Sequence, residues 1–134
     1  MILVDAGPLV ALLDADDQHH SACLAALKAI REPLATVWPA VTEAMYLLHD
    51  VLKAQDALWE MLQRNAVQLL SLEAADVPRM RELMRKYANR PMDLADAAIL
   101  RVAEREGLRK IFTVDRKDFS VYRINGRLRP ILLP

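Results

Sequence analysis

Cysteine, histidine and glycine are scarce in this chain, and each scarcity argues against a class of function. The single cysteine, Cys23, permits no disulfide within the chain, which agrees with a reducing compartment. One cysteine and three histidines do not form the ligand clusters that zinc sites prefer. With only three glycines, the sequence contains no glycine-rich phosphate loop, which argues against a nucleotide-binding enzyme.

Long apolar runs are also missing, although 54% of the 134 residues are hydrophobic. Charged residues interrupt the apolar stretches every few positions, so we expect no membrane-spanning segment and no membrane partner. The start Met1-Ile-Leu-Val-Asp lacks the basic residues of a signal peptide, and we therefore expect a cytoplasmic protein. This length and composition predict one core and a single domain over residues 1–134.

The net charge of zero hides an asymmetry between the two halves of the chain. Residues 1–78 contain four Lys or Arg and eleven Asp or Glu, a balance of −7, whereas residues 79–134 contain fourteen and seven, a balance of +7. A basic second half suits a surface that holds a phosphate backbone beside an acidic pocket. The same side chains also fit an ordinary solvated helix surface.

Short apolar runs alternate with helical patterns along the chain. Strands are predicted over residues 2–5, 34–38, 67–70, 111–114 and, as a short edge strand, 130–133. Helices are predicted over 8–13, from a cap at Asp16 or Asp17 to about 31, through Val41, Met45, Leu48 and Leu52, and over 54–64, 74–87 and 94–106. Asp93 and Gly107 are expected to begin and end the last of these helices. The alternation predicts a three-layer α/β/α sandwich with a central, mainly parallel sheet.

Four acidic residues stand where a strand passes into a helix, or just inside the helix that follows: Asp5, Glu43, Asp96 and Asp115. Because the carboxyl ends of parallel strands share one edge of a sheet, we expect these side chains to meet in one crevice. Two carboxylates about 5 Å apart repel by about 3 kcal/mol at an effective dielectric constant near 20, so the cluster needs a cation, a bound proton or a basic side chain. Carboxylates and water suit Mg²⁺ or Mn²⁺.

Two of these acids lie in apolar sequence surroundings. Glu43 interrupts an apolar helical stretch, and Asp96 is flanked by leucine, alanine and isoleucine. Because burying an unpaired charge is costly, we predict that both residues belong to a functional site. Asp5 also fits as a cap of the helix near Pro8. Asp93 shares a helix face with Asp96 and is either a further ligand or only the helix cap.

Four ordered motifs resemble those of the PIN-domain nucleases, especially the VapC-like ribonuclease toxins of bacterial toxin-antitoxin pairs. The motifs are Val4-Asp5-Ala-Gly, Thr42-Glu43-Ala, Met92-Asp93-Leu-Ala-Asp96-Ala and Phe112-Thr113-Val-Asp115-Arg-Lys-Asp118-Phe. Each motif alone is weak, because an acid after an apolar run is common. The ordered set covers essentially the whole chain and is much more specific.

The resemblance implies a metal-dependent endoribonuclease that uses one or two Mg²⁺ ions, or Mn²⁺. It makes Asp5, Glu43, Asp96 and Asp115 the catalytic acids and metal ligands, with Asp93 as an additional ligand. Thr113 would orient Asp115, and Arg116 would hold a substrate phosphate unless it belongs to a solvated turn. Asp118 is expected to cap the turn at Phe119, and contact with the pocket is the alternative.

The implied partners are an RNA substrate, a small antitoxin protein and a second copy of the chain in a homodimer. Apolar residues of the early helices offer surfaces for such contacts, although core packing uses the same residue types: Leu24, Leu27, Ile30, Met45, Leu48 and Leu52.

Two alternative functions remain open. One is a catalytically inactive PIN-like module that binds partners or regulates, with the acids kept as helix caps. The other is a phosphate-accepting receiver domain, which also places aspartates at strand ends. A receiver would need paired acids after the first strand and a lysine after a late strand, whereas Asp5 stands alone and Lys110 precedes the last major strand.

Overall fold

Five strands form one sheet in a computed structural model that describes residues 1–134. They are β1 (Ile2–Val4), β2 (Leu34–Thr36), β3 (Val67–Leu69), β4 (Lys110–Phe112) and β5 (Ile131–Leu133). Their order across the sheet is β3-β2-β1-β4-β5, and every neighbouring pair is parallel. The predicted parallel sheet is confirmed, and β5 is the predicted edge strand.

Seven α-helices surround the sheet. They are α1 (Ala6–Leu13), α2 (His20–Ala29), α3 (Trp38–Leu47), α4 (Leu52–Gln63), α5 (Val77–Lys86), α6 (Leu94–Glu106) and α7 (Arg116–Phe119). A 3₁₀ turn, Ala74–Asp76, leads directly into α5. No helix combines the length and apolarity that crossing a bilayer would require.

Alternate strand residues face opposite helical layers, as the pleat of a strand requires. Leu3 and Ile111 pack with residues of α5 and α6 in one core. Ile2, Val4 and Phe112 pack with residues of α1, α2 and α4 in the other. The sheet is therefore covered on both faces, and the predicted three-layer α/β/α sandwich is confirmed.

The structure corrects the prediction around Trp38 and Leu52. The strand predicted to reach Trp38 ends at Thr36, and Trp38 is the first residue of α3. Pro39 follows in the first turn, where a missing backbone N–H leaves no helical hydrogen bond unmade. The apolar spacing that extends to Leu52 belongs to two helices, because α3 ends at Leu47 and Leu52 begins α4.

The predicted cap of α2 at Asp16 or Asp17 is wrong. The helix begins at His20, and its N-cap, His19, makes no side-chain capping hydrogen bond. Asp17 accepts a hydrogen bond from the backbone N–H of His19 at 2.8 Å, and Asp14 accepts one from Asp16 at 3.0 Å. These aspartates stabilise the turn before the helix, which explains why the sequence resembles a helix start.

Both predicted ends of α6 are confirmed. Asp93 is the N-cap, and its side chain accepts a hydrogen bond from the backbone N–H of Asp96 at 2.8 Å. Gly107 ends the helix in the left-handed conformation, with φ of 67°, which glycine adopts without steric cost. The N-cap fixes where α6 begins and so places Asp96 in its first turn.

A buried carboxylate ties the start of α5 to α6. Asp76 is 1% exposed and accepts hydrogen bonds from Nε of Arg101 and Nη1 of Arg105, both at 2.7 Å. The backbone N–H of Glu73 donates a third hydrogen bond to this carboxylate at 2.8 Å. The hydrogen bond from Glu73 and the two guanidinium groups hold the pKa of Asp76 below its usual value despite burial.

We expect Asp76→Asn to lower the free energy of unfolding by about 3 kcal/mol near neutral pH, because two partly buried guanidinium groups lose their shared counter-charge. Denaturant titration followed by circular dichroism measures this loss. Since the pKa of Asp76 is lowered by folding, its carboxylate stabilises the protein above the unfolded pKa of about 3.9 and loses this effect as the pH falls through the folded pKa. The difference in free energy of unfolding between the wild type and Asp76→Asn should therefore become smaller below about pH 4.

Glu106→Gln is the matched control, because it removes one negative charge from an exposed partner of Arg105, 3.3 Å away. An exposed ion pair contributes little to stability, so Glu106→Gln should lower the free energy of unfolding by less than about 0.5 kcal/mol. Equal losses in the two variants would contradict the importance of the buried Asp76.

Candidate active site

The carboxyl ends of β1 and β4 meet where the strand order of the sheet reverses. From β1 the chain continues to β2 on one side, whereas β4 pairs with the other side of β1. In open parallel sheets this switch point forms a crevice in which ligands bind. Asp5 directly follows β1, and Thr113 and Asp115 follow β4, so three predicted site residues border this crevice.

Asp5 is buried, and both oxygens of its carboxylate are held in place. It is 7% exposed. Oδ1 accepts a hydrogen bond from the backbone N–H of Ala6 at 2.8 Å, which makes Asp5 the N-cap of α1. Oδ2 accepts a hydrogen bond from Oγ1 of Thr113 at 3.0 Å. The two roles that the sequence left open, helix cap and member of the crevice, are therefore combined in one side chain.

Thr113 joins the ends of β1 and β4 through its hydroxyl group. While Oγ1 donates to Asp5, it also accepts a hydrogen bond from the backbone N–H of Asp115 at 3.0 Å. Thr113 thus orients the carboxylate of Asp5 and the backbone of Asp115. Gly7 permits this close approach of α1 to the end of β4, because a methyl group at Gly7 would collide with Val114.

Asp115 is the N-cap of α7, since its Oδ1 accepts a hydrogen bond from the backbone N–H of Asp118 at 3.4 Å. The predicted cap at Asp118 is wrong, because this residue lies inside α7 and its carboxylate is 3.8 Å from Nη1 of Arg90. The residue that caps α7 is therefore Asp115, the first aspartate of the motif. Arg116, at the start of α7, donates a hydrogen bond to the carbonyl oxygen of Pro134.

Asp96 lies in the first turn of α6 and is 7% exposed. Its Oδ2 accepts a hydrogen bond from the hydroxyl group of the fully buried Tyr122 at 2.9 Å. Burial and the negative charge of Asp96 raise the pKa of Tyr122, so its hydroxyl group remains a donor at neutral pH. Sequence reasoning missed Tyr122, because a tyrosine 26 residues beyond Asp96 looks like any core aromatic and carries no motif.

Glu43 lies on the exposed face of α3, although the apolar sequence around it suggests burial. It shares a cleft of about 650 Å³ with Asp93, and the other lining residues are Trp38, Pro39, Thr42, Tyr46, Leu72, Leu94 and Ala95. Trp38 and Tyr46 are 49% and 72% exposed, so this cleft presents aromatic surface directly beside acidic side chains.

The carboxylates of Asp5, Glu43, Asp96 and Asp115 have raised pKa values, and the negative charge of Asp93, the fifth acid of this cluster, contributes to each increase. Burial raises the pKa of Asp5 to about 6 and that of Asp96 to about 8, and the negative charge of Asp93 contributes to both increases. Partial burial raises the pKa of Glu43, as do the charges of Asp93, Asp5 and Asp115. Partial burial and the neighbouring Asp118 and Asp93 raise the pKa of Asp115. The structure therefore brings the predicted acids together.

No basic side chain neutralises this acidic cluster. None of its five carboxylates takes part in a salt bridge, whereas the buried Asp76 has two arginine partners. No three His, Cys, Asp or Glu side chains are placed so that together they could hold a metal ion in this structure. The donor set nevertheless suits a hard divalent cation, because all its ligand atoms are carboxylate oxygens and their repulsion lacks another counter-charge.

The exposed apolar surface differs from the predicted one. Of the six predicted apolar contact residues only Leu52 is exposed, and Leu48 is fully buried. Besides Leu52, the large exposed side chains of α3, α4 and their connection are Trp38, Tyr46, Leu47, Val51 and Trp59. The rings of Trp38 and Trp59 meet edge to face, with centroids 6.3 Å apart.

The sequence of this chain matches the PIN domain family over residues 2–125. It is 28% identical to Ribonuclease VapC26 of Mycobacterium tuberculosis (strain ATCC 25618 / H37Rv) over 135 residues, covering 99% of this chain and 100% of that protein.

Two solved structures share the fold. The crystal structure of Mycobacterium tuberculosis VapC20, described as a Sarcin-Ricin loop cleaving toxin, has a TM-score of 0.78 at 19% identity and covers 87% of this chain and 91% of that one. A toxin-antitoxin complex from Klebsiella pneumoniae has a TM-score of 0.68 at 20% identity, covering 90% and 92%. The match of nearly the whole sequence to one family agrees with the parallel sheet and with the acids at its switch point. The chain therefore belongs to the PIN domain family.

Proposed function

We propose that this protein is a metal-dependent endoribonuclease, the toxin of a toxin-antitoxin pair. The observation that carries the proposal is the convergence of Asp5, Glu43, Asp93, Asp96 and Asp115 without a basic side chain to neutralise them. A protein keeps such a destabilising cluster when the cluster has a use, and binding of Mg²⁺ or Mn²⁺ is the use that suits its chemistry. The full-length similarity to Ribonuclease VapC26 supports RNA as the substrate.

The five acids divide by burial into two groups. Asp5 and Asp96 are buried and held by hydroxyl donors, so they would be the ligands of fixed geometry. Glu43, Asp93 and Asp115 are exposed at the crevice and would complete the site around one or two ions. When bound, such an ion would lower the pKa of water to give a stronger nucleophile and would stabilise the charge that develops on the phosphate.

The residues of the chain would direct the hydrolysis in three ways. The buried acids hold the reacting centre at the sheet edge, and an exposed carboxylate, Glu43 or Asp115, positions the attacking water and accepts its proton. Attack of water on phosphorus would break its bond to the 3′ oxygen, and this oxygen would take a proton from solvent, leaving a 3′ hydroxyl group and a 5′ phosphate. Arg116 is exposed beside Asp115 and would hold a neighbouring substrate phosphate when released from the carbonyl of Pro134.

The proposed protein partners are a small antitoxin and a second copy of the chain. The resemblance of the fold to a toxin-antitoxin complex supports the first of these. The cleft at Trp38 and Tyr46 offers an antitoxin segment apolar surface next to Glu43 and Asp93, where a basic side chain would be attracted. A homodimer and a cytoplasmic location stay predictions of the sequence.

EDTA removes the metal ion, and the substitution Asp96→Asn removes one of its fixed ligands. Each should lower the rate of cleavage of a mixed RNA pool by at least about 100-fold. Sequencing of RNA ends after induced expression, compared with the Asp96→Asn variant, measures the activity and identifies the cut sites. Asp50→Asn is the matched control, since this side chain is 86% exposed and lies outside the cluster.

Cleavage that persists in both EDTA and the Asp96→Asn variant would contradict the metal-dependent mechanism. A folded wild-type protein that cleaves no RNA with Mg²⁺ or Mn²⁺ would favour the inactive partner-binding module.

Without metal, Asp5 and Asp96 should lower the free energy of unfolding as the pH rises from about 4 to about 8, because folding raises the pKa of Asp5 to about 6 and that of Asp96 to about 8. In this window the folded state holds protons that the unfolded state has released, so raising the pH favours unfolding. Asp96→Asn should therefore stabilise the metal-free protein by at least about 1 kcal/mol near pH 8 and have little effect near pH 4. Thermal melting across this pH range measures both effects.

Adding Mn²⁺ should raise the melting temperature of the wild type near pH 8 and have little effect near pH 4, where protonated carboxylates bind metal weakly. Asp50→Asn should behave like the wild type throughout. A wild type that gains stability steadily from about pH 4 to about pH 8 without metal would contradict the raised pKa values.

A further inference from the structure

We infer that Tyr122 is a positioning residue that orients the carboxylate of Asp96 for metal binding. The inference deepens the proposed function and rests on it. It concerns a side chain that belongs to none of the four sequence motifs and whose hydrogen bond to the acidic cluster is made to Asp96.

The contact leaves the two oxygens of Asp96 in different situations. Oδ2 accepts the hydrogen bond from the Tyr122 hydroxyl at 2.9 Å, whereas Oδ1 makes no hydrogen bond within the protein. Because every fully buried polar side-chain atom has a hydrogen-bond partner, Oδ1 must be accessible to solvent. Tyr122 therefore holds one oxygen and leaves the other available as a ligand.

The ring of Tyr122 is fixed by two other aromatic side chains. Tyr87 and Phe119 meet it edge to face, with centroids 4.9 Å and 5.1 Å away. Tyr87 is anchored in turn, because its hydroxyl group accepts a hydrogen bond from the backbone N–H of Arg123 at 3.0 Å. The hydroxyl group that donates to Asp96 therefore belongs to a packed and buried aromatic cluster.

The arrangement at Asp96 parallels the one at Asp5. Each buried acid receives a hydroxyl hydrogen bond from a residue distant in sequence, Thr113 for Asp5 and Tyr122 for Asp96. A hydrogen bond to one carboxylate oxygen limits rotation of the group. The carboxylate therefore loses less conformational entropy when its other oxygen binds a cation. Groups of this kind around a metal ligand commonly change affinity by about 10-fold to 100-fold.

The test compares two variants that each remove one buried tyrosine hydroxyl group from the same aromatic cluster. Tyr122→Phe removes the donor to Asp96, and Tyr87→Phe removes a hydroxyl group that does not touch the acids. Isothermal titration calorimetry of each purified, metal-free protein with Mn²⁺ measures affinity, and thermal melting reports the structural cost of each substitution.

We expect Tyr122→Phe to weaken Mn²⁺ binding by about 10-fold or more, while Tyr87→Phe stays within about twofold of the wild type. RNA cleavage by Tyr122→Phe should fall at limiting Mn²⁺ and recover as Mn²⁺ is added, with the KM for RNA unchanged, because Tyr122 is buried away from the substrate. If Tyr122 only supported the packing of the core, added Mn²⁺ would not restore RNA cleavage by Tyr122→Phe.

Tyr122→Phe with wild-type Mn²⁺ affinity would overturn the inference and leave the proposed function intact. Equal weakening in the two variants would also overturn it, because the effect would then come from the packing of the cluster. A wild type that binds no Mn²⁺ would overturn both the inference and the metal-dependent function on which it rests.

Discussion

Repulsion among carboxylates at the switch point of the sheet is the constraint on which the rest of this structure depends. Asp5 and Asp96 are buried there, and their pKa values rise because burial and neighbouring charges disfavour the ionised form. The fold does not relieve this repulsion with an arginine or lysine. Instead, Thr113 and Tyr122 donate hydrogen bonds that fix the two buried acids and leave the cluster negative. The divalent cation that we propose would both compensate the charge and supply the chemistry of a nuclease.

The contrast with the buried acid at the start of α5 shows that this chain can neutralise a carboxylate where the fold needs stability. Asp76 is bound by two arginines and a backbone N–H, and its pKa is lowered. Glu104 likewise accepts two hydrogen bonds from Arg79, both at 2.8 Å. These networks link helices on one face of the sheet. The acids of the crevice are left without such partners, as expected where stability is given up for function.

Much of this arrangement could be predicted from sequence, because strand ends and helix starts have local signals. Short apolar runs located the strands, the Asp93 cap located α6, and the acids after the strands pointed to one crevice. Local signals failed where the deciding contact is distant. The hydrogen bond from Tyr122 to Asp96 depends on how the segment after α7 packs on α6, and the exposure of Glu43 depends on which face of α3 the core leaves free. The sequence predicts a cap at Asp118, whereas the structure places the cap at Asp115, because both aspartates lie within one turn and only the geometry distinguishes them.

We propose that a divalent cation binds among these acids. A crystal structure of the protein grown with Mn²⁺, with anomalous diffraction recorded at the manganese absorption edge, tests it most directly. We predict one or two anomalous peaks at the carboxyl ends of β1 and β4, within coordination distance of Asp5 and Asp96. A fully ordered crevice without an anomalous peak, or with a basic side chain turned into it, would contradict the account.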